Sequence, residues 1–148
     1  MQEQVKLTLS FFMSSLILCI QQEKPFNPIL GETFQARIAG LPIYLEQISH
    51  HPPITAYLLI GKSFVLSGTH EPVANLTPNT VVAEQKGSPY VYYKNTGTKI
   101  YFRWPTFVIN GSAVGRRYLN FTTRALCYEP NSALFAELLF NASEITGN

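Results

Sequence analysis

The sequence predicts a mainly β fold, an antiparallel sheet or barrel built from sequential hairpins and preceded by one helix. Short segments rich in β-branched and aromatic residues recur after Gly31. Turn signals such as Ala39-Gly40 and Gly61-Lys62 separate them at intervals of about ten residues, which favours hairpins over a βαβ fold. Before Pro25, by contrast, apolar residues recur at helical spacing.

Composition limits the possible classes of protein. The chain has 148 residues, the length of one domain, with 46% apolar, 13% aromatic and 14% charged residues. This apolar content excludes disorder, coiled coil and collagen. With a net charge of +2 and no run of Lys or Arg, the chain lacks the positive surface of a duplex nucleic-acid binder. So few charged residues indicate that much of the surface faces a partner, a ligand or further chain rather than water.

The first element is a predicted helix over residues 3–22. Val5, Leu9, Phe12, Leu16 and Ile20 recur at steps of three and four residues. Further apolar residues widen this face almost around the helix, so we expect it to lie between other elements or against lipid. Prolines at positions 25 and 28 then end it, because proline lacks the amide donor.

Strands are predicted over most of the remaining chain. They cover Thr33–Ile38, Ile43–Ser49, Thr55–Ile60, Phe64–Ser67, Thr80–Glu84, Val91–Lys94, Lys99–Trp104, Tyr118–Thr123, Ala125–Tyr128 and Leu134–Phe140.

The spacing of the cysteines indicates neither a zinc site nor a disulfide framework. Cys19 and Cys127 lie far apart, without a CxxC or Cys/His pattern, and we interpret them as buried thiols. An apolar run from Leu7 to Ile20 lacks the positive flank and cleavage site of a signal peptide, and it is too short for a membrane span.

Two clusters of polar residues could carry function. The first is Lys24-Pro25-Phe26-Asn27-Pro28-Ile29-Leu30-Gly31-Glu32, a proline-fixed loop that offers one ammonium and one amide side chain. Its simplest interpretation is a helix stop, with Lys24 near the negative end of the helix.

The second cluster is Glu46-Gln47-Ile48-Ser49-His50-His51-Pro52-Pro53. In a strand the two histidines would point to opposite faces, so they can serve one ligand where the chain turns, and the two prolines favour a turn. A metal site would need a third ligand, and Glu46 and the distant His70 form no known pattern. Ser49 lacks the G-x-S-x-G context of a nucleophile. A hydrogen-bonded loop is the alternative interpretation of the pair.

Together the two clusters resemble the oxysterol-binding protein family. "KPFNPILGETF" followed by "EQISHHPPITAY" is similar to the two motifs of its ligand-binding domain, and "GKSFVL" and "WPTFVINGSAVGRRYLNF" resemble later hairpins more loosely. The strong motifs lie within Lys24 to Pro53, and the weaker similarity covers most of the chain after the helix.

This resemblance implies an incomplete antiparallel β-barrel whose tunnel holds a sterol or a phospholipid. It implies lipid transfer between membranes rather than an enzyme, with no cofactor, metal or nucleic acid. Lys24, Asn27, His50 and His51 match the positions that bind the headgroup of phosphatidylinositol 4-phosphate. A cytoplasmic protein peripheral at membranes, at membrane contact sites, is expected. Because phosphate favours imidazolium, we also expect headgroup binding to strengthen on mild acidification.

The family's domain is longer than this sequence, with a lid before the helix and a basic helical region after the barrel. We therefore interpret residues 1–148 as a partial ligand-binding domain: helix 3–22, loop 24–32 and barrel strands 33–141. The low charge content favours a fragment whose apolar wall is covered by further chain. A truncated remnant that associates with membranes or acts as a scaffold without transferring lipid is the alternative.

Overall fold

A computed structural model describes residues 1–19 and 26–140 of the chain. One α-helix, α1 (Gln2–Ser14), continues as a 3-10 helix over Ser15–Cys19. The strands are β1 (Thr33–Ile38), β2 (Leu41–Ser49), β3 (Ile54–Ile60), β4 (Phe64–His70), β5 (Pro72–Leu76), β6 (Thr80–Gln85), β7 (Tyr90–Tyr93), β8 (Thr98–Arg103), β9 (Phe107–Asn110), β10 (Tyr118–Phe121), β11 (Ala125–Tyr128) and β12 (Phe135–Leu138).

Helix α1 buries the face that the sequence pattern predicted. Val5 and Phe12 of α1 and Leu16 of the 3-10 helix are buried, Leu9 is half-buried, and Ile20 lies outside the described residues. The opposite side is open, since Leu7 and Phe11 are exposed. The α-helical hydrogen bonding ends at Ser14, where the hydroxyls of Ser14 and Ser15 donate to the carbonyl groups of Phe11 and Phe12, three residues back. The rest of the predicted helix, residues 20–22, lies outside the described part of the chain.

Every strand pairing in the described residues is antiparallel, as predicted. The larger sheet has the order β1-β2-β3-β4-β7-β8-β11-β12, and the smaller one the order β10-β9-β6-β5. The sequential meander is therefore interrupted twice, after β4 and after β8. At both points the chain leaves the larger sheet, adds two strands to the smaller sheet and returns. Residues 1–19 and 26–140 therefore form a mainly β fold with one N-terminal helix and two open antiparallel sheets.

Strands β5 and β9 were not predicted. β5 begins at Pro72 and lies at the edge of the smaller sheet, where a missing amide donor is tolerated. β9 has four residues and follows Pro105, so its apolar run is too short for a clear period-two pattern.

The core lies between α1 and one face of the larger sheet, which we call the helix-side face. Cross-strand partners share a face, and register places in one row Ala36, Ile43, Leu59, Leu66, Val91 and Ile100. Helix α1 packs on this face over β8, β11 and β12, with Phe12 stacked on Phe102 at 4.3 Å between ring centroids. Trp104 meets both rings edge-on and extends this aromatic packing.

Register also settles which residues of β1 face the core side. Phe34, Ala36 and Ile38 lie on the helix-side face, since Ala36 is opposite Ile43 in the row above. Helix α1 covers the other end of the sheet, and Phe34 and Ile38 are 58% and 53% exposed. An apolar surface therefore extends from the core to the β1 edge.

Within residues 1–19 and 26–140, the structure contains no helix that is both long and apolar enough to cross a membrane.

Candidate functional site

The histidine pair lies in the turn between β2 and β3, as the two prolines predicted. Residues 50–53 form the turn, and the rings of His50 and His51 are 4.5 Å apart at an angle of 58°. A β-bulge precedes it, because Gln47 pairs with Thr55 and Ser49 with Ile54, which leaves Ile48 as the extra residue. Both imidazoles are exposed and close enough to meet one ligand.

The side chain of Gln47 holds the bulge in place. It is 1% exposed, and its Nε2 donates to the carbonyl oxygen of Ser49 at 2.8 Å. Its Oε1 accepts a hydrogen bond from the Thr55 hydroxyl across the turn. One buried amide therefore joins both strands that enter and leave the histidine turn, and both of its polar ends have partners.

The second segment of the site is a tight turn over Ile29–Glu32. The Glu32 amide donates to the Ile29 carbonyl at 3.0 Å, and the Ile29 amide donates to the Glu32 carboxylate at 3.0 Å. Gly31 has φ of +78°, which the third position of a type II turn requires and which a side chain would strain. The Gly31-Glu32 dipeptide of the first motif is thus explained by local structure.

Backbone hydrogen bonds fasten this turn to the end of β2. The Gly31 amide donates to the Gln47 carbonyl at 2.8 Å, and the Gln47 amide donates to the Glu32 carbonyl at 2.9 Å. At the far side, His50 Nδ1 lies 3.2 Å from the Pro28 carbonyl oxygen. Two motifs that are separated in the sequence therefore form one surface.

The contact with Pro28 determines what His50 can offer a ligand. A carbonyl oxygen accepts hydrogen bonds, so Nδ1 must carry the proton in this contact. Neutral His50 then presents Nε2 as an acceptor, and Nε2 becomes a donor when the ring is protonated. His50 in this position can donate to an anion in its imidazolium form.

The predicted site residues are placed as follows. His50 and His51 are adjacent in the turn, and the exposed Asn27 precedes Pro28, whose carbonyl meets His50. Lys24 lies outside the described residues. Among the described residues, no group of three or more His, Cys, Asp or Glu side chains is placed to hold a metal ion.

Sequence reasoning missed two contributors to this end of the sheet. Gln47 lies on the same side of β2 as the apolar Ile43 and Leu45, and this inward position was the available signal. The other is His70, which seemed distant but ends β4 opposite Thr55. All three histidines of the sequence therefore lie at one end of the larger sheet.

The chain is similar to proteins of one known family. The family model described as oxysterol-binding protein matches residues 1–147. Oxysterol-binding protein 9 of Dictyostelium discoideum is 36% identical over 146 residues, which is 97% of this chain and 34% of that protein. Human oxysterol-binding protein-related protein 1 is 32% identical over 100 residues, covering 65% of this chain and 10% of that protein. The chain thus spans about a third of the first of these relatives and a tenth of the second.

Solved structures show the same fold. The Osh3 ORD from Saccharomyces cerevisiae, crystallised in complex with PI(4)P, has a TM-score of 0.67 and 25% identity over 73% of this chain and 30% of that one. The Osh1 ORD domain, in complex with ergosterol, has a TM-score of 0.65 and 23% identity over 73% and 27% of the two chains. Motifs, fold and family model agree, and the chain belongs to the oxysterol-binding protein family.

Proposed function

We propose that this chain binds the headgroup of phosphatidylinositol 4-phosphate at the surface formed by Asn27, His50 and His51, together with Lys24. The observation that carries the proposal is the convergence of the two motifs. His50 lies 3.2 Å from the carbonyl oxygen of Pro28, beside Asn27, and its ring is 4.5 Å from that of His51. Pro28 and His50, which are 22 positions apart in the sequence, are thereby held at one open surface.

The donors at this surface suit a phosphate monoester. Such a group carries about −1.5 to −2 charges and several acceptor oxygens at neutral pH, so it requires converging donors. Asn27 supplies an amide, the two imidazoles supply N–H groups, and Lys24 supplies a positive charge. The similar Osh3 ORD was crystallised with PI(4)P, which supports the same ligand class here.

The apolar part of the lipid would lie on the helix-side face. Leu59 and Leu66 on this face are buried in the core, whereas Phe34 and Ile38 at its β1 edge are exposed. Exposed apolar side chains of this kind favour an apolar ligand over water. We propose a sterol or a phospholipid as cargo, in keeping with the family to which the chain belongs.

We further propose a non-enzymatic role, in which the chain is part of a larger ligand-binding domain that moves lipid between membranes. It would act at the cytoplasmic surface, as a peripheral protein, at membrane contact sites. A headgroup that is held and released without a covalent step needs neither a nucleophile nor a cofactor.

The proposal predicts that the protein extracts labelled phosphatidylinositol 4-phosphate from donor vesicles, and that the double variant His50→Ala/His51→Ala loses this activity. Two charge-assisted hydrogen bonds contribute about 1.5–3 kcal/mol each, so the loss should be at least about a hundredfold. Vesicles are sedimented, and label in the supernatant is counted.

The matched control is Asn95→Ala, which removes an exposed polar side chain in the β7–β8 turn. It should extract lipid like the wild type. Equal extraction by the histidine variant would contradict the headgroup assignment. Headgroup binding by the wild type without extraction would instead support the alternative function, a membrane-associated remnant that transfers no lipid.

A further inference from the structure

Four large apolar side chains around the candidate site are exposed. Phe26 is 101% exposed, Ile29 69%, Leu30 65% and Ile48 49%. We call these four residues the apolar rim. A folded protein leaves single apolar residues exposed without consequence, but a group that borders a polar site indicates a surface for interaction.

The rim residues belong to two segments that the structure joins. Ile29 and Leu30 lie in the turn that is fastened to Gln47, and Ile48 is the unpaired bulge residue directly after Gln47. The bulge frees Ile48 from the strand pairing and lets its side chain leave the regular alternation of β2. The rim therefore lies beside the histidine turn.

The Ile29–Glu32 turn bonds three of its four amides within the protein. The amides of Ile29, Gly31 and Glu32 donate to the Glu32 carboxylate, the Gln47 carbonyl and the Ile29 carbonyl. In an apolar environment each unpaired backbone group costs free energy. These three bonds lower the cost of moving the turn out of water while its apolar side chains are transferred.

Charge at this surface also fits a phospholipid layer. The sequence from Phe26 to Gly31 and from Gln47 to Pro53 contains no acidic residue. The nearby Glu32 carboxylate accepts the Ile29 amide. The carboxylates next to the rim are those of Glu32 and Glu46, which flank the two segments, and the segments themselves present no negative charge to lipid phosphates.

We infer that the apolar rim inserts into the interfacial region of a lipid bilayer while the histidine turn meets a headgroup. This inference rests on the proposed headgroup site, because a lipid whose headgroup is bound there belongs to a membrane that lies next to the rim. The rim then supplies affinity that does not depend on the phosphoinositide, and the histidines supply selectivity for it.

The test measures binding to phosphatidylcholine vesicles with and without phosphatidylinositol 4-phosphate, for the wild type, Ile29→Ser and Leu30→Ser. Each rim variant should bind both kinds of vesicle about tenfold more weakly, since transfer of one leucine-sized side chain is worth at least that factor. Affinity for water-soluble glycerophosphoinositol 4-phosphate should not change. Leu76→Ser is the matched control, because Leu76 is 77% exposed on the edge strand β5.

Each outcome is decisive. Vesicle binding by Leu30→Ser at wild-type strength, or an equal loss in Leu76→Ser, would overturn the inference. Sedimentation that shows a wild-type dimer, lost in Leu30→Ser without any change in vesicle binding, would assign the rim to a second copy of the chain instead. Failure of the wild type to bind the soluble headgroup, with the rim effect on plain vesicles retained, would remove the headgroup site and support the rim.

Discussion

At the scale of single residues, Gln47 determines the geometry of the candidate site. Its backbone receives the Ile29–Glu32 turn, and its side chain joins Ser49 to Thr55 across the bulge. The amide is buried, so its partners would be left without hydrogen bonds if it were replaced by an apolar group. It contacts no proposed ligand, and we regard it as a positioning residue for His50 and His51.

The variant Gln47→Leu tests this role. Loss of the two side-chain hydrogen bonds should lower the free energy of unfolding by about 1–3 kcal/mol, because the partly buried Ser49 carbonyl and Thr55 hydroxyl lose their partner. The released turn should also bind soluble headgroup more weakly at a temperature where the variant is folded. Urea unfolding and calorimetric titration measure the two effects.

Gln35→Leu provides the comparison, since Gln35 is exposed on β1. It should change neither quantity appreciably. A Gln47→Leu protein that is destabilised but binds the headgroup with full affinity would show that Gln47 supports the fold and not the site.

Much of the residue-level site could be predicted, and the missing part has a physical reason. Pro52 and Pro53 predict the turn that brings His50 and His51 together, since proline favours turns. The contact between His50 and Pro28 could not be predicted, because it depends on how a loop 22 residues away is fastened to β2. Local sequence specifies turns well and specifies long-range docking poorly.

At the scale of elements, the packing of α1 is the contact that closes the core. Phe12 stacks on Phe102, and the Thr8 hydroxyl, which is buried, lies 3.0 Å from the Tyr93 hydroxyl. Beneath the helix, Cys127 of β11 donates from Sγ to the Val5 carbonyl at 3.7 Å. Burial raises the pKa of the Cys127 thiol from its ordinary 9.0 to about 12.

This pKa predicts how Cys127 reacts. In a Cys19→Ser background Cys127 is the single thiol, and it should react with a thiol reagent far more slowly in the folded protein than in urea, because the thiolate is the reactive form. The additional change Phe12→Ala costs about 3–5 kcal/mol of core packing and should speed the reaction by loosening α1.

The same shift has a consequence for stability. The unfolded thiol ionises near pH 9 and the folded one near 12, so the folded state holds its proton where the unfolded state has lost it. The unfolding free energy that this group contributes is present below pH 9 and is lost as the pH rises towards 12.

If the thiol reagent labelled Cys127 at equal rates in the folded and the unfolded protein, this result would contradict the buried position of Cys127.

The sequence predicted elements better than their arrangement. β1 and β11 have the predicted bounds, because Gly, Pro and polar residues mark their ends. The pairing of β4 with β7 and of β8 with β11 was not predicted, since local patterns contain no information about strands that leave one sheet for another. The helix was predicted to be longer than α1, because its apolar spacing continues past the point where Ser14 and Ser15 bond to their own backbone.

At the scale of the whole molecule, the surfaces proposed to bind lipid lie together. The helix-side face runs from the core beneath α1 to the exposed Phe34 and Ile38 at the β1 edge. The turn that carries the histidines joins β2 and β3, the next two strands of this sheet, and the apolar rim borders that turn. The headgroup of a membrane lipid would then contact one end of the sheet, and the apolar part of the same lipid would lie along the helix-side face. The low charge content of the chain agrees with such surfaces.

The proposed role of His50 and His51 is to hold a phosphate-bearing headgroup. Nuclear magnetic resonance of both imidazole groups, during titration with soluble glycerophosphoinositol 4-phosphate at two values of pH, tests this role. Because Nδ1 of His50 is directed at Pro28, its donation to phosphate requires the imidazolium form. We predict that the resonances of both rings move, that the protonated fraction of His50 rises on binding, and that affinity increases as the pH is lowered. Binding of the headgroup with both imidazole spectra unchanged would contradict this role.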